Sequence, residues 1–179
     1  MKRGAILELV IGALLIGLTW AATMVRVPVP PFAYFNLSEC VVYTAALVFG
    51  WRLGLVAGAI GATLADFIGY SVWWPITLVV KGVEGLLVGL LSTGRGGRRD
   101  IVAICCGAAW MIAGYALGAY WLGGPGWVVS EVPVDVVQCV AGGVVAMVLA
   151  PALRRAVPLA RDFRHGTGAD DRAGRGTWR

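Results

Sequence analysis

Charged residues are almost absent from six long apolar stretches of this chain and collect in the gaps between them. Counting the two ends and every second gap together gives 13 Lys and Arg on one side, against Arg26 alone on the other, with Lys81 inside a stretch. Cytoplasmic segments of membrane proteins carry such an excess of Lys and Arg. The pattern predicts an all-α integral membrane protein with six transmembrane helices and both termini in the cytoplasm. The 13 are Lys2, Arg3, Arg52, Arg95, Arg98, Arg99, Arg154, Arg155, Arg161, Arg164, Arg172, Arg175 and Arg179.

Composition points to a lipid environment, because the chain is 59% hydrophobic and only 14% charged. We expect one six-helix membrane domain over residues 1–157, located in the cell membrane, and a disordered, basic cytoplasmic tail over residues 158–179. The apolar run of the first segment, about 20 residues, exceeds the 7–15 of a signal peptide, which predicts a retained helix. The segments lie at about Ala5 to Val25, Leu37 to Gly50, Leu53 to Tyr70, Pro75 to Thr93, Ile101 to Leu122 and Val132 to Leu153.

The second segment is short, since about 20 residues are needed to cross the hydrocarbon. Leu37 to Gly50 therefore extends into its flanks, crosses a thinned region or forms half of a re-entrant hairpin. All three leave the predicted sidedness unchanged.

No motif in the sequence supports chemistry of the chain's own. The four cysteines lack C-x-x-C spacing and the single histidine, His165, lies in the tail, so we expect neither a metal site nor a cofactor. Phosphate-loop, G-x-S-x-G and H-E-x-x-H motifs are absent. Because the basic residues flank apolar segments, nucleic-acid binding is not expected, and we predict that the protein is not an enzyme.

Three predicted outer loops combine proline with aromatic residues: Val27 to Asn36, Tyr70 to Pro75 and Gly123 to Pro133. The aromatics fit either an interfacial belt or a lid over an external binding site. Seven ionisable or amide residues also map to the outer half or middle of their helices, and such groups at membrane depth suggest a site. They are Glu39, Asp66, Lys81, Glu84, Glu131, Asp135 and Gln138.

Structural roles explain several of these polar residues equally well. Lys81 can bridge Glu84 or Asp66 and so hold helices together, and Asp135 can cap the last helix. Small residues also recur every fourth position, as in Ala13, Gly17 and Ala21. Such stripes pack helices of one bundle or dock a partner.

Certain runs resemble the substrate-capture (S) subunits of energy-coupling factor (ECF) vitamin transporters, in the group with riboflavin and pyrimidine-precursor members. The runs are F-N-L-S-E from Phe35, A-A-L-V-F-G from Ala45, G-x-x-G-A-T-L-A-D-F-I-G-Y from Gly58, K-G-V-E-G from Lys81 and E-V-P-V-D-V-V-Q from Glu131. The resemblance implies a six-helix subunit that binds a vitamin beneath its outer loops. It also implies docking, through a small-residue stripe on helix one matched at Ala13, Gly17 and Ala21, to a membrane T subunit driven by two ATPases.

On this basis we expect a substrate-binding site at Tyr34, Asn36, Glu39, Asp66, Tyr70, Trp73, Trp74, Lys81, Glu84, Trp127, Glu131, Asp135 and Gln138. The carboxylates near this site outnumber Lys81 and Arg26, which favours a neutral or cationic heteroaromatic vitamin or precursor. Two alternatives remain open at this stage. One is a structural or assembly protein, and the other is a self-sufficient secondary transporter with Asp66 as its proton site.

Overall fold

The computed structural model describes residues 3–30 and 33–157, so the predicted tail lies outside the described residues. Six helices form a bundle, which confirms the all-α membrane class. They are α1 (Arg3–Met24), α2 (Ser38–Phe49), α3 (Trp51–Gly69), α4 (Trp74–Leu91), α5 (Arg98–Gly123) and α6 (Pro125–Ala156). Within α3, residues Ala57–Ala62 form a π-helical segment between two α-helical ones.

Five of the helices are long and apolar enough to cross a membrane, and α2 is the exception. With 12 residues, α2 spans roughly 18 Å at ~1.5 Å per residue, against a hydrocarbon core of about 30 Å. Most of its side chains are buried by the neighbouring helices. The number of full membrane crossings therefore stays a prediction.

The first predicted loop contains a two-stranded antiparallel hairpin that the sequence pattern did not indicate. Strand β1 (Val27–Val29) pairs with β2 (Ala33–Phe35) in the register Val27 to Phe35 and Val29 to Ala33. The prolines in this loop do not suggest a strand, because proline lacks the backbone N–H donor that strand pairing requires. The hairpin packs against α6 and covers one end of the bundle.

The prediction of a third outer loop over Gly123 to Pro133 is wrong. Helix α5 ends at Gly123 and α6 begins at Pro125, so the connection is Gly124, whose positive φ of 77° suits glycine. Pro125 stands at the start of α6, where proline is tolerated, and Pro133 lies inside the helix. Trp127 and Glu131 are consequently helical residues.

The two ends of the bundle differ in chemistry. We call the end formed by the hairpin, the turn 70–73 and the start of α6 the aromatic end. The opposite end, with the turn at Trp51, the loop 92–97 and the end of α6, is called the basic end.

The small-residue stripes differ in what covers them. Gly58 in α3 and Gly142 in α6 are buried, and a Cβ on either would collide with backbone of a neighbouring helix. In α1, by contrast, Ala13, Gly17 and Ala21 are exposed, and a Cβ on Gly17 would meet nothing within 4 Å. The stripe on α1 therefore does not pack this bundle.

Candidate binding site

The Asp66 carboxylate is a buried acceptor that joins three elements near the aromatic end. Oδ1 accepts hydrogen bonds from Tyr34 at 2.6 Å and from Arg26 at 3.1 Å, and Oδ2 accepts one from Thr77 at 2.6 Å. The Thr77 hydroxyl in turn accepts a 3.1 Å hydrogen bond from Tyr115. Because Asp66 is only 1% exposed, these donors replace the water that the carboxylate lost on folding.

The hairpin is attached to the bundle through Tyr34. Its ring stacks on Tyr70 with centroids 4.5 Å apart, and the Arg26 guanidinium lies 5.0 Å and 4.9 Å from the centroids of the two rings. Burial, followed by the nearby Asp66 charge, raises the pKa of Tyr34 well above its ordinary value of 10.0. The phenol thus remains a protonated donor.

Lys81 forms the centre of a second buried network. Its ammonium group pairs with Glu39 of α2 and, at 3.2 Å, with Glu84 of its own helix. Tyr43 donates a 2.7 Å hydrogen bond to Glu84, and Ser38 donates one of 3.1 Å to Glu39. The expected bridge from Lys81 to Glu84 is present, whereas Asp66 is paired with Arg26 instead.

Gln138 connects α6 to the end of the hairpin. Its side-chain oxygen accepts a 2.7 Å hydrogen bond from the backbone N–H of Asn36, whose own side-chain oxygen accepts one of 2.8 Å from the N–H of Ser38. Gln138 therefore positions the hairpin and the start of α2.

Two buried carboxylates on α6 are left without partners. Asp135 is 3% exposed and Glu131 is 8% exposed, yet neither makes a hydrogen bond or ion pair within residues 3–30 and 33–157. Oδ2 of Asp135 is fully enclosed and unpaired there. The capping role considered for Asp135 is wrong, since α6 begins ten residues earlier at Pro125.

Two tryptophans stack near the start of α6, where Trp127 precedes Glu131 by one helical turn. The rings of Trp73 and Trp127 are 6.4 Å apart at an interplanar angle of 24°, and Tyr115 lies 5.7 Å from Trp73. Both tryptophans line a cavity of about 290 Å³, together with the hairpin and the turn at Tyr70, whereas neither Glu131 nor Asp135 is among its lining residues. Segments from all three predicted loop regions thus line one cavity.

Of the thirteen predicted site residues, the structure brings ten into these connected networks. Glu131 and Asp135 have no partner among the described residues, and Trp74 lies apart. Trp74 is 37% exposed and contacts Phe67 at 6.2 Å on the outside of the bundle. Sequence reasoning missed Tyr43, Thr77 and Tyr115 as members of the networks. Two of them lie one helical turn from a predicted residue, which is a usable signal: Tyr43 from Glu39 and Thr77 from Lys81.

These features define a class: a small multi-pass membrane protein whose aromatic end contains a cavity lined by tryptophans, with two buried carboxylates on α6 that have no partner among the described residues. The model of the ECF-type riboflavin transporter S component family matches residues 4–155. The chain belongs to this family, so it is an S component of vitamin uptake, and the family is one of transporters rather than enzymes.

Several individual proteins are also similar to this chain, and one of them is named as a transporter. A protein of Pyrococcus woesei named only as uncharacterized is 37% identical over 141 residues, which cover 78% of this chain and 95% of that protein. The thiamine precursor transporter HmpT of Lactococcus lactis subsp. cremoris is 29% identical over 131 residues, or 72% of this chain and 75% of HmpT. UPF0397 proteins of Streptococcus pneumoniae are 35% identical over 69 residues, 37% of either chain.

Proposed function

We propose that this chain is the substrate-capture subunit of an ECF-type vitamin uptake transporter. It binds a small neutral or cationic heteroaromatic vitamin or precursor at the aromatic end. A membrane T subunit and two ATPases then drive release of the ligand into the cell. The excess of Lys and Arg at the basic end and in the tail supports an orientation with the aromatic end outside and both termini in the cytoplasm.

The observation that carries the ligand assignment is that the buried carboxylates of Glu131 and Asp135 have no partner within residues 3–30 and 33–157. The two cations in the neighbourhood are already paired with other carboxylates: Arg26 with Asp66, and Lys81 with Glu39 and Glu84. A buried polar group without a partner is destabilising, and a ligand that supplies N–H donors or positive charge removes that penalty. Amino groups and ring N–H groups of heterocycles are donors of this kind.

Cavity size and aromatic lining favour a compact, flat ligand. A volume of about 290 Å³ corresponds to roughly ten water-sized groups at ~30 Å³ each, which suits one ring or a fused pair. The stacked indoles of Trp73 and Trp127 offer faces on which such a ring can stack.

The exposed stripe on α1 supports docking of a membrane partner. Helix α1 is the least buried of the five candidate membrane-spanning helices. Its three small residues, Ala13, Gly17 and Ala21, allow another helix to approach closely. We assign this surface to the T subunit.

The proposal is tested on the full-length chain purified in detergent. Mass spectrometry identifies any small molecule that copurifies, and quenching of tryptophan fluorescence reports its affinity. Asp135→Asn should weaken binding, whereas Glu8→Gln, which removes a carboxylate from the basic half of α1, should leave it unchanged. Failure of every vitamin or precursor to bind would favour a structural protein, and uptake without the ATPases would favour a secondary transporter.

A further inference from the structure

A second and larger cavity, of about 1090 Å³, lies at the basic end between the loop 92–97 and the end of α6. Three arginines line it, namely Arg95, Arg154 and Arg155, and among the described residues no acidic side chain does. The proposed vitamin site lies at the opposite end of the bundle and does not use this cavity.

Arg154 is held in place at the cavity wall. Its Nε and Nη2 donate hydrogen bonds of 3.2 and 2.7 Å to the carbonyl oxygen of Leu47, and Nη2 pairs with Asp100 at 2.8 Å. Asp100 is fixed in turn by a 2.5 Å hydrogen bond from Ser92. The remaining nitrogen, Nη1, faces Gly96, where a Cβ would stand 3.7 Å away. The guanidinium is therefore oriented before any ligand arrives.

The loop across the cavity is built from glycines. Gly94, Gly96 and Gly97 have positive φ angles of 71°, 82° and 79°, a conformation that favours glycine. Backbone without side chains lets an anion approach the peptide N–H groups closely. The loop thus offers a narrow polar wall opposite Arg154.

Two cationic side chains at the cavity lack acidic partners. Arg95 and Arg155 are exposed, and in the described part of the chain neither forms an ion pair, because the one nearby carboxylate, Asp100, is taken by Arg154. Arginine binds phosphate oxygens in bidentate geometry, which makes this set suited to a phosphate group.

The rim of the cavity indicates where that phosphate comes from. Trp51 is 38% exposed and Leu90 is 56% exposed, and both line the cavity together with the exposed Pro151. Exposed apolar side chains next to the arginines match a lipid. Its acyl chains would contact the apolar side chains, and its headgroup would contact the arginines. We propose that this cavity binds the phosphate headgroup of an anionic membrane phospholipid through Arg95, Arg154 and Arg155.

The test is native mass spectrometry of the full-length detergent-purified chain with phosphatidylglycerol, phosphatidylcholine or inorganic phosphate. We expect phosphatidylglycerol to bind at least tenfold more tightly than phosphatidylcholine. The double variant Arg95→Gln/Arg155→Gln should lose that preference. Its matched control is Arg98→Gln/Arg99→Gln, which removes two charges next to the same loop from residues that do not line the cavity.

Retention of the preference in the control variant supports a defined site. Equal losses in the two double variants would show that diffuse positive charge attracts the lipid, and would overturn the proposal. Binding of inorganic phosphate as tight as that of phosphatidylglycerol would overturn the lipid assignment. Both variants should keep the wild-type unfolding temperature, which separates loss of the site from loss of the fold.

Discussion

The Asp66 carboxylate on α3 accepts a 2.6 Å hydrogen bond from the hydroxyl of Thr77 on α4. This contact ties two helices together at the level where the hairpin meets the bundle, since Tyr34 and Arg26 reach the same carboxylate. Asp66 therefore has a structural role. A role as a freely titrating proton site in a secondary transporter would require the same group to give up these donors.

Thr77→Val removes this donor while keeping the shape of the side chain. We expect destabilisation by about 1–3 kcal/mol, the cost of leaving a buried acceptor short of a donor. A chain of this length then loses about 2–4 °C of unfolding temperature per kcal/mol, measured in detergent. Thr19→Val is the matched control, because the buried Thr19 hydroxyl has no partner among the described residues, and that variant should be neutral or slightly stabilising. Equal losses in the two variants would contradict the assignment.

Lys81 pairs with two buried carboxylates, so its removal should destabilise the fold more than Thr77→Val does. Lys81→Met leaves Glu39 and Glu84 without their cation and should cost about 3–5 kcal/mol of folding free energy. Adding Glu39→Gln and Glu84→Gln to the same chain should recover most of the loss, because the uncompensated charges are then gone. Wild-type thermal stability of Lys81→Met alone would show that the ion pairs do not hold α2 to α4.

Much of the fold follows from the charge and hydropathy pattern. Helix existence is predictable because a lipid-exposed backbone must satisfy its own hydrogen bonds, which leaves few options for an apolar segment. The beginning of α6 was not predictable, because the run from Gly123 to Pro133 contains residues that are typical of turns. Packing against Trp73 and the hairpin keeps that segment helical.

The site could be predicted as a set of residues but not as a set of pairs. Polar residues at membrane depth identified Asp66, Lys81 and Asp135, since apolar surroundings make such groups rare. Which carboxylate pairs with which cation depends on helix rotation and on the hairpin position. Hence only the structure showed that Arg26 pairs with Asp66 and that Asp135 has no partner in the described part of the chain.

Gly17→Trp tests the docking surface on α1. The exposed position, where a Cβ would meet nothing within 4 Å, should accept tryptophan without unfolding, while the bulk prevents close approach of a partner helix. We expect loss of copurification with the T subunit and loss of uptake, with ligand binding in detergent unchanged. Leu18→Trp, rotated by about 100° around the helix, is the control and should still copurify. Retained copurification of Gly17→Trp would place the docking surface elsewhere.

Asp135 and Gln138 share a buried face of α6, but their substitution should have different effects on ligand affinity and on stability. Asp135→Asn removes an acceptor that we assign to the ligand, so affinity should fall by about 1–3 kcal/mol, roughly 5- to 150-fold, with little loss of stability. Gln138→Ala removes the acceptor of the Asn36 N–H, so it should lower the unfolding temperature as well as affinity. Unchanged ligand affinity in both variants would exclude this face of α6 from the site.

The charge balance of the site predicts which ligands it accepts. Arg26 and Lys81 both already pair with carboxylates. An anionic ligand would have to compete for them and would face Glu131 and Asp135, which penalises its burial by several kcal/mol. Pyrimidine, thiazole, pyridoxine or flavin-type compounds should therefore bind more tightly than the carboxylate vitamins biotin, pantothenate and folate in titrations of the purified protein. Asp135→Asn should reduce this difference in affinity, because it weakens binding of the heteroaromatic compounds and relieves repulsion of the carboxylate vitamins. Glu8→Gln should leave the difference in affinity unchanged. Tighter binding of any carboxylate vitamin by the wild-type chain would mean that the site carries the opposite sign, since only a cation released from its carboxylate partners could then hold the ligand.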